Sequence, residues 1–583
     1  MTKYISALLM VFVAWPSVAA DPNGYTAQYE CRAGGPNCNV DVATLGRRAC
    51  DQIVSTSTPW SSIKWSSNTI CIEAGDHTSK GALTISFSGT SSNYKVLRYY
   101  RANDTDDEPW HQSSANQAKI TRIKFLDARY WIVHRLVFDP NYATDSNAIW
   151  LSDNVTRSDH IIINRVLAQH GKTQVYVEGA NDSVIQNSVL RDSIKSPRVD
   201  SNGIALGNLP QNIWAVNNEI YRIYSHGFYI NPNSESPGTV IENNDIYVDS
   251  SQWTDCLGNY TPNNPDSPCS ASEAAASFKS GGTAAAPVRF THNRTWGHRH
   301  TDLNVCCAGG GGGQIISLSD GYPVLNAFSS YVLIQNNIIT DGQQGIQTPR
   351  EGPHHHSIIG NIIYRINNYY AAFGTSGSAA LSSLGHWDNT EVYLNTIIDS
   401  GSWADIGGGN ENLDVKCNAV LGSGQNTGGI PGAGSVVNYN AFIGTNKFTT
   451  DNSVDTNITK TTRIRSNSTP YTLDSLAQFA PISACTTGTE SACFIYKAAV
   501  AGTSAPSTPK ACTDLGCEFA DGGVTWQAIR GPYFYSRKLR TVPGGETAFI
   551  PHARAHYAAP ENAACDPKIG TSVNIGINDL LLR

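Results

Sequence analysis

One lysine stands where a proton-abstracting base would be useful. Lys279 follows Ala276-Ser277-Phe278 and opens a glycine-rich stretch, Ser280-Gly281-Gly282. Glu273 precedes it by six residues, and Arg299 and His300 follow about twenty residues later. A partly desolvated lysine near other cations is a candidate base, and a neighbouring arginine can stabilise developing charge. The plainer alternative is a solvated edge lysine and a loop salt-bridge arginine. A second set is aromatic: Trp150, Tyr176 and Tyr229. Such side chains on an outer sheet face either stack on a ligand's apolar surface or pack beneath loops. A third set is acidic. Glu178, Asp153 and Asp320 have the residue type for paired-carboxylate hydrolysis, which needs carboxyl groups about 5 to 10 Å apart. His354-His355-His356 is read as an exposed loop run, and Gly309 to Gly313 as a flexible loop without the strand-to-helix context of a phosphate site.

These residues gain meaning from the short strands that carry them. Ile149-Trp150-Leu151-Ser152, Val175-Tyr176-Val177-Glu178, Ile204-Ala205-Leu206-Gly207 and Phe228-Tyr229-Ile230-Asn231 share one pattern. Ala276-Ser277-Phe278-Lys279, Ile316-Ser317-Leu318-Ser319 and Ile346-Gln347-Thr348-Pro349 continue it. Strand alternation sends the first and third residues inward and the second and fourth outward. Stacked about 4.8 Å apart, the strands turn the outward residues into two columns. The first reads Trp150, Tyr176, Ala205, Tyr229, Ser277, Ser317, Gln347. The second reads Ser152, Glu178, Gly207, Asn231, Lys279, Ser319, Pro349.

The stacking follows from a repeat. An Asn, then a mostly small or polar residue, then two apolar or aromatic ones recur at Asn164, Asn187, Asn218, Asn244, Asn293, Asn337, Asn361, Asn395, Asn418 and Asn440. Several steps are 22 to 26 residues, and two, of 49 and 44, are about twice that. A single residue type returning at a fixed coil length predicts an all-β solenoid, a right-handed parallel β-helix, with Asn amides satisfying one another along the stack. A β-sandwich has no reason to repeat one residue type in this way.

The flanks bound the rest. Residues 1–20 read as a signal peptide: Lys3, an apolar run from Ile5 to Val13, and small residues at Val18-Ala19-Ala20. No later stretch approaches the roughly 20 apolar residues of a membrane span, so the chain is expected to be secreted. Residues 21–125 are assigned to an N-terminal cap and first coils, with Val42 to Val54 as an amphipathic capping helix. The regular β-helix spans 126–445, and 446–583 form a C-terminal cap, an appended disulfide-containing unit or a processed segment. Fourteen cysteines suit an oxidising compartment. The close pairs are Cys31 with Cys38, Cys256 with Cys269, Cys485 with Cys493 and Cys512 with Cys517, and no spacing fits zinc. A net charge of −7 argues against nucleic acid as partner. A monomer is expected.

The segments Ala276-Ser277-Phe278-Lys279-Ser280 and Arg299-His300 resemble the lysine and arginine motifs of the alginate lyase and chondroitinase B family, within the pectate-lyase-like β-helices. Glu73-Ala74-Gly75-Asp76, Leu83 to Thr90 and Tyr130 to Phe138 resemble that family's opening coils, so the likeness covers roughly residues 70 to 440. It implies β-elimination at a uronic acid in an acidic polysaccharide, with Lys279 as base and Arg299 as its partner, stabilising charge or protonating the leaving oxygen. From their place on the outer face and beside it, Trp150, Tyr176, Tyr229, Glu178 and His300 are expected to contact substrate. The resemblance also implies Ca²⁺ beside the lysine. Glu273 stands alone where the family has two acids, Ala275 occupying the second place, with Asn231 as a further oxygen donor and Glu242 as a weaker one. The alternatives are a β-helical glycoside hydrolase built on Glu178 and Asp320, and a non-catalytic, glycan-binding or adhesive β-helix.

Overall fold

Each coil contributes three short strands, and each strand pairs in parallel with its counterpart one coil on. The computed structural model describes residues 35–248 apart from 103–107, 143–145, 153–156, 195–200 and 233, then residues 274–298, and shorter runs between 314 and 554. Among the described residues the coils build three parallel sheets of fourteen, fourteen and eleven strands. One coil runs Val184–Gln186, Val189–Arg191 and Asn202–Gly207, then returns to the first sheet at Trp214–Val216. The chain is thus a right-handed parallel β-helix, the hand that strand twist imposes on parallel crossovers. The paired coils start at Gln52–Val54 and continue to Ile458–Lys460, beyond the regular 126–445 region on both sides.

The interior is one continuous stack. On the third sheet Ile149, Val175, Ile204, Phe228, Ala276, Ile316 and Ile346 lie in register and belong to the buried core. Full burial of an aliphatic or aromatic side chain is worth about 1.5–3 kcal/mol. A one-residue slip would expose this whole set, so the core fixes which side chains face outward.

Between the first and second sheets the chain turns through one left-handed residue. Arg135, Arg165, Asn187, Asn217, Asn243, His292, Asn336, Gly360 and Leu394 occupy this position, with φ between 52° and 66°. The residue that follows forms a buried ladder: Asn218, Asn244, Asn293, Asn337, Asn361, Asn395 and Asn418, each at most 2% exposed. Each Nδ2 up to Asn395 donates to the next Oδ1 at 2.9–3.1 Å. The backbone N–H of the same residue donates to that oxygen as well. The second Nδ2 hydrogen serves a carbonyl, as from Asn293 to Ile241 O at 2.9 Å.

The ladder corrects the phase of the repeat at its start. Pairing of Val189 with Glu219 aligns Ser188, not Asn187, with Asn218, and Ser188 N donates to Asn218 Oδ1 at 3.1 Å. Asn187 is instead the left-handed residue and heads a second row with Asn217 and Asn243. Asn164 ends a first-sheet strand opposite Gln186. Asn tolerates the left-handed region better than most side chains, and its amide can both donate and accept along the ladder, so both turn positions attract it and spacing alone does not separate them. Asn440 lies outside the described residues.

The helix expected over 42–54 is a single turn, Val42–Leu45, with Asp41 Oδ1 accepting from Thr44 N at 3.0 Å. Gln52–Val54 is a strand paired with Thr69–Glu73, and the disulfide between Cys50 and Cys71 holds that edge. The turn does not close the end of the solenoid. Val40, Val42 and Leu45 lie on the outer face of the first sheet, against Tyr94, Val96, Ile132 and Ile162. The N-terminal residues that meet the core are Trp60, Ile63 and Trp65. β-branched Ile53 and Val54 and the disulfide favour pairing over helix here.

Past the coils, Arg463–Ile464, Leu476–Gln478, Ile495–Val500, Val524–Arg530 and Glu518–Asp521 form a separate, mainly antiparallel sheet. Tyr496 and Trp526 are buried against Phe479, and Arg465 and Asp521 form a buried ion pair at 2.7 Å. Cys512 and Cys517 are bonded as their spacing predicts. Cys38 is also disulfide-bonded, while Cys31, Cys256, Cys269, Cys485 and Cys493 lie outside the described residues.

Replacing Asn293 by Ala removes an acceptor from two N–H groups of Asn244 and a donor from both Ile241 O and Asn337 Oδ1. Leaving buried groups unpaired costs about 1–3 kcal/mol each before relaxation. Asn293→Ala is expected to lower unfolding free energy by on the order of 3 kcal/mol in urea titration; a loss below about 1 kcal/mol would show the ladder to be dispensable there.

Candidate functional site

The outward face of the third sheet has the register that its alternation predicts. Trp150, Tyr176, Ala205, Tyr229, Ser277, Ser317 and Gln347 are paired neighbours, coil by coil. In the second column Glu178 pairs with Gly207. Asn231 N and Lys279 N donate to Leu206 O and Ile230 O, at 2.9 and 3.2 Å, each reaching back one coil. The first column also extends backwards. Lys124 is opposite Trp150, and Thr84 is opposite Lys124. Ile123-Lys124-Phe125 has the same apolar-polar-apolar alternation, the signal from which Lys124 was legible.

The aromatic residues differ in what they offer. Trp150 is half-buried, with the Lys124 ammonium 4.0 Å from a ring centroid and Tyr176 tilted beside it at 6.2 Å. Its Nε1–H donates to Glu178 Oε2 at 2.9 Å, and Asn208 Nδ2 donates to Glu178 Oε1 at 2.8 Å. Both Glu178 oxygens therefore accept N–H bonds, which orients Trp150. Tyr229 is only 6% exposed. The His226 ring stacks on it at 4.6 Å, and Lys279 Nζ lies 5.4 Å from its centroid. Tyr229 is thus not an open stacking surface; it supports Lys279. His226 is held by Asn202 Oδ1 at 3.1 Å and Ser225 Oγ at 2.9 Å. It sits two residues before Phe228 and pairs with Asn202 on the register, a place the four-residue pattern did not include.

Ala205 and Gly207 are the smallest residues of the two columns, and together they open a gap one coil wide. A Cβ at Gly207 would lie 2.8 Å from the Tyr176 hydroxyl and 2.9 Å from Asn231 Nδ2. The phenol therefore leans over the Gly207 coil toward the Asn231 side chain. Burial, then the Glu178 charge, raise the Tyr176 pKa above 10.0, so the phenol keeps its proton.

Other expectations fall elsewhere. Glu242 lies on the first sheet, buried, 3.3 Å from His292, and is not part of this face. His355 is exposed and stacks on Tyr331, whereas His356 is buried at 1%, unlike the exposed run expected. The strand Ser357–Ile359 begins at once after His356 and draws it inward. Glu273, Arg299, His300, Asp153, Asp320, Ser319, Pro349, His354 and Gly309 to Gly313 lie outside the described residues. Among the described residues no three His, Cys, Asp or Glu side chains group as a metal site, and no helix is long and apolar enough to cross a membrane.

No family model matches the chain, and no curated protein matches it by sequence. Similar solved structures include an alginate lyase from Paenibacillus sp., at 12% identity and TM-score 0.30, spanning 62% of this chain and 94% of that one. A mannuronic acid specific polysaccharide family 6 lyase from human gut microbiota is similar at 12% identity and TM-score 0.39, over 67% and 85%. A GH87 alpha-1,3-glucanase from Streptomyces thermodiastaticus is similar at 12% and 0.40, over 74% and 70%.

His298, the residue before Arg299, is buried at 2% exposure beside Ile246 O, and burial pushes its imidazole from 6.5 down to about 4. The folded chain binds this proton less tightly than the unfolded chain. Its contribution is therefore complete above about pH 6.5 and is lost as pH falls from there through about 4. His298→Gln should lose less stability than wild type across that window in denaturant titrations; equal losses would show that another group dominates.

Proposed function

We propose that this chain is a secreted polysaccharide lyase that cleaves a uronate-containing glycan by β-elimination, with Lys279 as the base. The reading is supported by one arrangement above all. Lys279 lies at the rim of a half-buried aromatic and amide-lined face, braced by Tyr229 and next in its column to Asn231. The likeness of the Lys279 and Arg299 segments to the lyase motifs points the same way. In this reaction the uronate carboxylate acidifies the C5 proton, Lys279 removes it, and Arg299 stabilises the charge that develops. Trp150, with Lys124 and Glu178 around it, and His300 contact flanking sugars. The disulfides Cys50–Cys71 and Cys512–Cys517 fit export to an oxidising compartment, and the chain acts as a monomer on an acidic substrate.

Hydrolysis through Glu178 is less well supported, because both of its oxygens are already held by Trp150 and Asn208 and no second carboxylate among the described residues is placed beside it. Calcium at Glu273 and Asn231 accompanies the proposal. Asn231 would supply one hard oxygen and the Glu273 carboxylate one or two more, with the remainder of the 6–8 that Ca²⁺ takes left to substrate and water. No step is routed through the ion.

Incubation with alginate, pectate or chondroitin should produce the ultraviolet absorbance of an unsaturated uronate, and Lys279→Ala should lower kcat by about 10²–10⁴-fold. New reducing ends without that absorbance would mean hydrolysis. Glycan binding with neither product would leave an adhesive role, and activity surviving in Lys279→Ala would remove the base assignment. If calcium binds, titration calorimetry with CaCl₂ will detect it, and Asn231→Ala will weaken it.

A further inference from the structure

The open part of the first column lies several coils away from Lys279. Thr84 is exposed and Lys124, Trp150 and Tyr176 are half-buried, whereas from Ala205 to Gln347 the column is buried. Register carries Lys124 through Trp150, Tyr176, Ala205 and Tyr229 to Ser277 on the Lys279 strand, five coil steps or roughly 24 Å along the axis. A sugar over Lys124 and a sugar at Lys279 are therefore not neighbours in a chain. The Lys124–Trp150 pair is also held in place. Lys124 rises from the coil before Trp150 and keeps its ammonium 4.0 Å from a ring centroid. From the coil after, Glu178 accepts from Trp150 Nε1 at 2.9 Å, and Asn208 Nδ2 fixes its other oxygen at 2.8 Å. Glu178 is buried and turned to those donors, which leaves Lys124 as the charge that this pair presents to solvent. Arg122, half-buried two residues before Lys124, adds a second positive charge, its Nη1 donating to Ser146 Oγ at 3.4 Å.

We infer that Lys124 and Trp150 form a remote anchoring subsite for a carboxylate-bearing sugar of an acidic glycan, several units away from the sugar at Lys279. The inference deepens the proposal above and rests on its acidic-glycan half, not on elimination at Lys279. An ammonium held against an indole suits a ligand that offers an anion and an apolar ring surface together, as a uronate does. A neutral sugar supplies only the ring, and a small free anion supplies only the charge. Lys124 pairs with the carboxylate, and the accessible edge of Trp150 covers the C–H surface of the ring. A coil step of about 4.8 Å is close to the advance of one sugar in an extended chain, so successive sugars meet successive coils. Thr84, exposed one coil before Lys124, leaves room for the chain to continue past the anchor. The anchor thereby sets a minimum length. Chains shorter than about six sugars, one for each coil from Lys124 to Lys279, do not hold both positions at once. Longer chains make the second contact intramolecular and gain affinity that short ones lack.

The test measures binding by titration calorimetry on the full chain carrying Lys279→Ala, so that cleavage does not compete. The ligands are size-defined fragments of alginate, pectate and chondroitin, with neutral cello-oligomers as the control. For at least one acidic glycan, fragments longer than about six sugars should bind at least about tenfold tighter than shorter ones. Adding Lys124→Gln should remove that advantage, weakening the long fragments by about tenfold or more. Adding Lys124→Arg instead, which keeps the charge, should retain most of it, and the cello-oligomers should bind weakly and equally to all three chains. A length dependence unchanged by Lys124→Gln overturns the inference, and so does the absence of binding by every acidic fragment. Equal losses in Lys124→Arg and Lys124→Gln also overturn it, because the lysine stem would then matter for packing and not for charge. The lyase reading is scored separately, on unsaturated product from the wild-type chain. Lys124-dependent, length-dependent binding without that product supports the anchor and overturns the lyase reading alone.

Discussion

Register between coils is the constraint on which everything else depends. A parallel β-helix places a residue on its surface by counting along one coil and by matching that coil to the next. In this chain the matching is enforced from inside. The asparagine ladder from Asn218 to Asn418 hands one amide to the next at hydrogen-bond distance, and each amide also bonds the backbone of a neighbouring coil. A coil that slipped by one residue would orphan several buried polar groups and turn its aliphatic stack outward. Long insertions such as 249–273 leave the register untouched: Asn244 and Asn293 are 49 residues apart and still adjacent in the ladder.

That rigidity lets the outer face of the third sheet carry costly arrangements. Trp150, Tyr176 and Tyr229 each have a defined neighbour: a lysine, an amide across a glycine, and a histidine. A cation over a ring is worth about 0.5–1 kcal/mol when exposed and more when desolvated, too little to order a flexible surface but enough to orient side chains on a fixed one. Lys279 is held against Tyr229 in this way. The glycine at 207 sits at the one coil where a neighbouring side chain must cross, and its lack of a Cβ makes the crossing possible.

Three differences between expectation and structure share a cause: local pattern competing with contact made by distant residues. The 42–54 segment has helical spacing, but Cys71 and the Thr69–Glu73 strand capture its second half. Asn187 matches the repeat, yet core register puts Ser188 in the ladder. His356 belongs to a histidine run that reads as surface, until the strand beside it draws it inside. In each case the information lies in a partner that is not nearby in the chain.

Period and alternation were legible without coordinates, because both are properties of single coils. They suffice for the solenoid, for its three-strand coil, for the complete first column from Trp150 to Gln347, and for the outward aspect of Lys279 in the second. How those side chains meet was not legible. That Tyr229 is buried under His226, that Lys124 joins the face, and that the Tyr176 phenol leans over Gly207 toward Asn231 depend on side-chain lengths and directions across coils. The sequence alone determined which residues share a face, since strand periodicity is local. Only the tertiary structure decided which of them touch, since those contacts join residues dozens of positions apart through space.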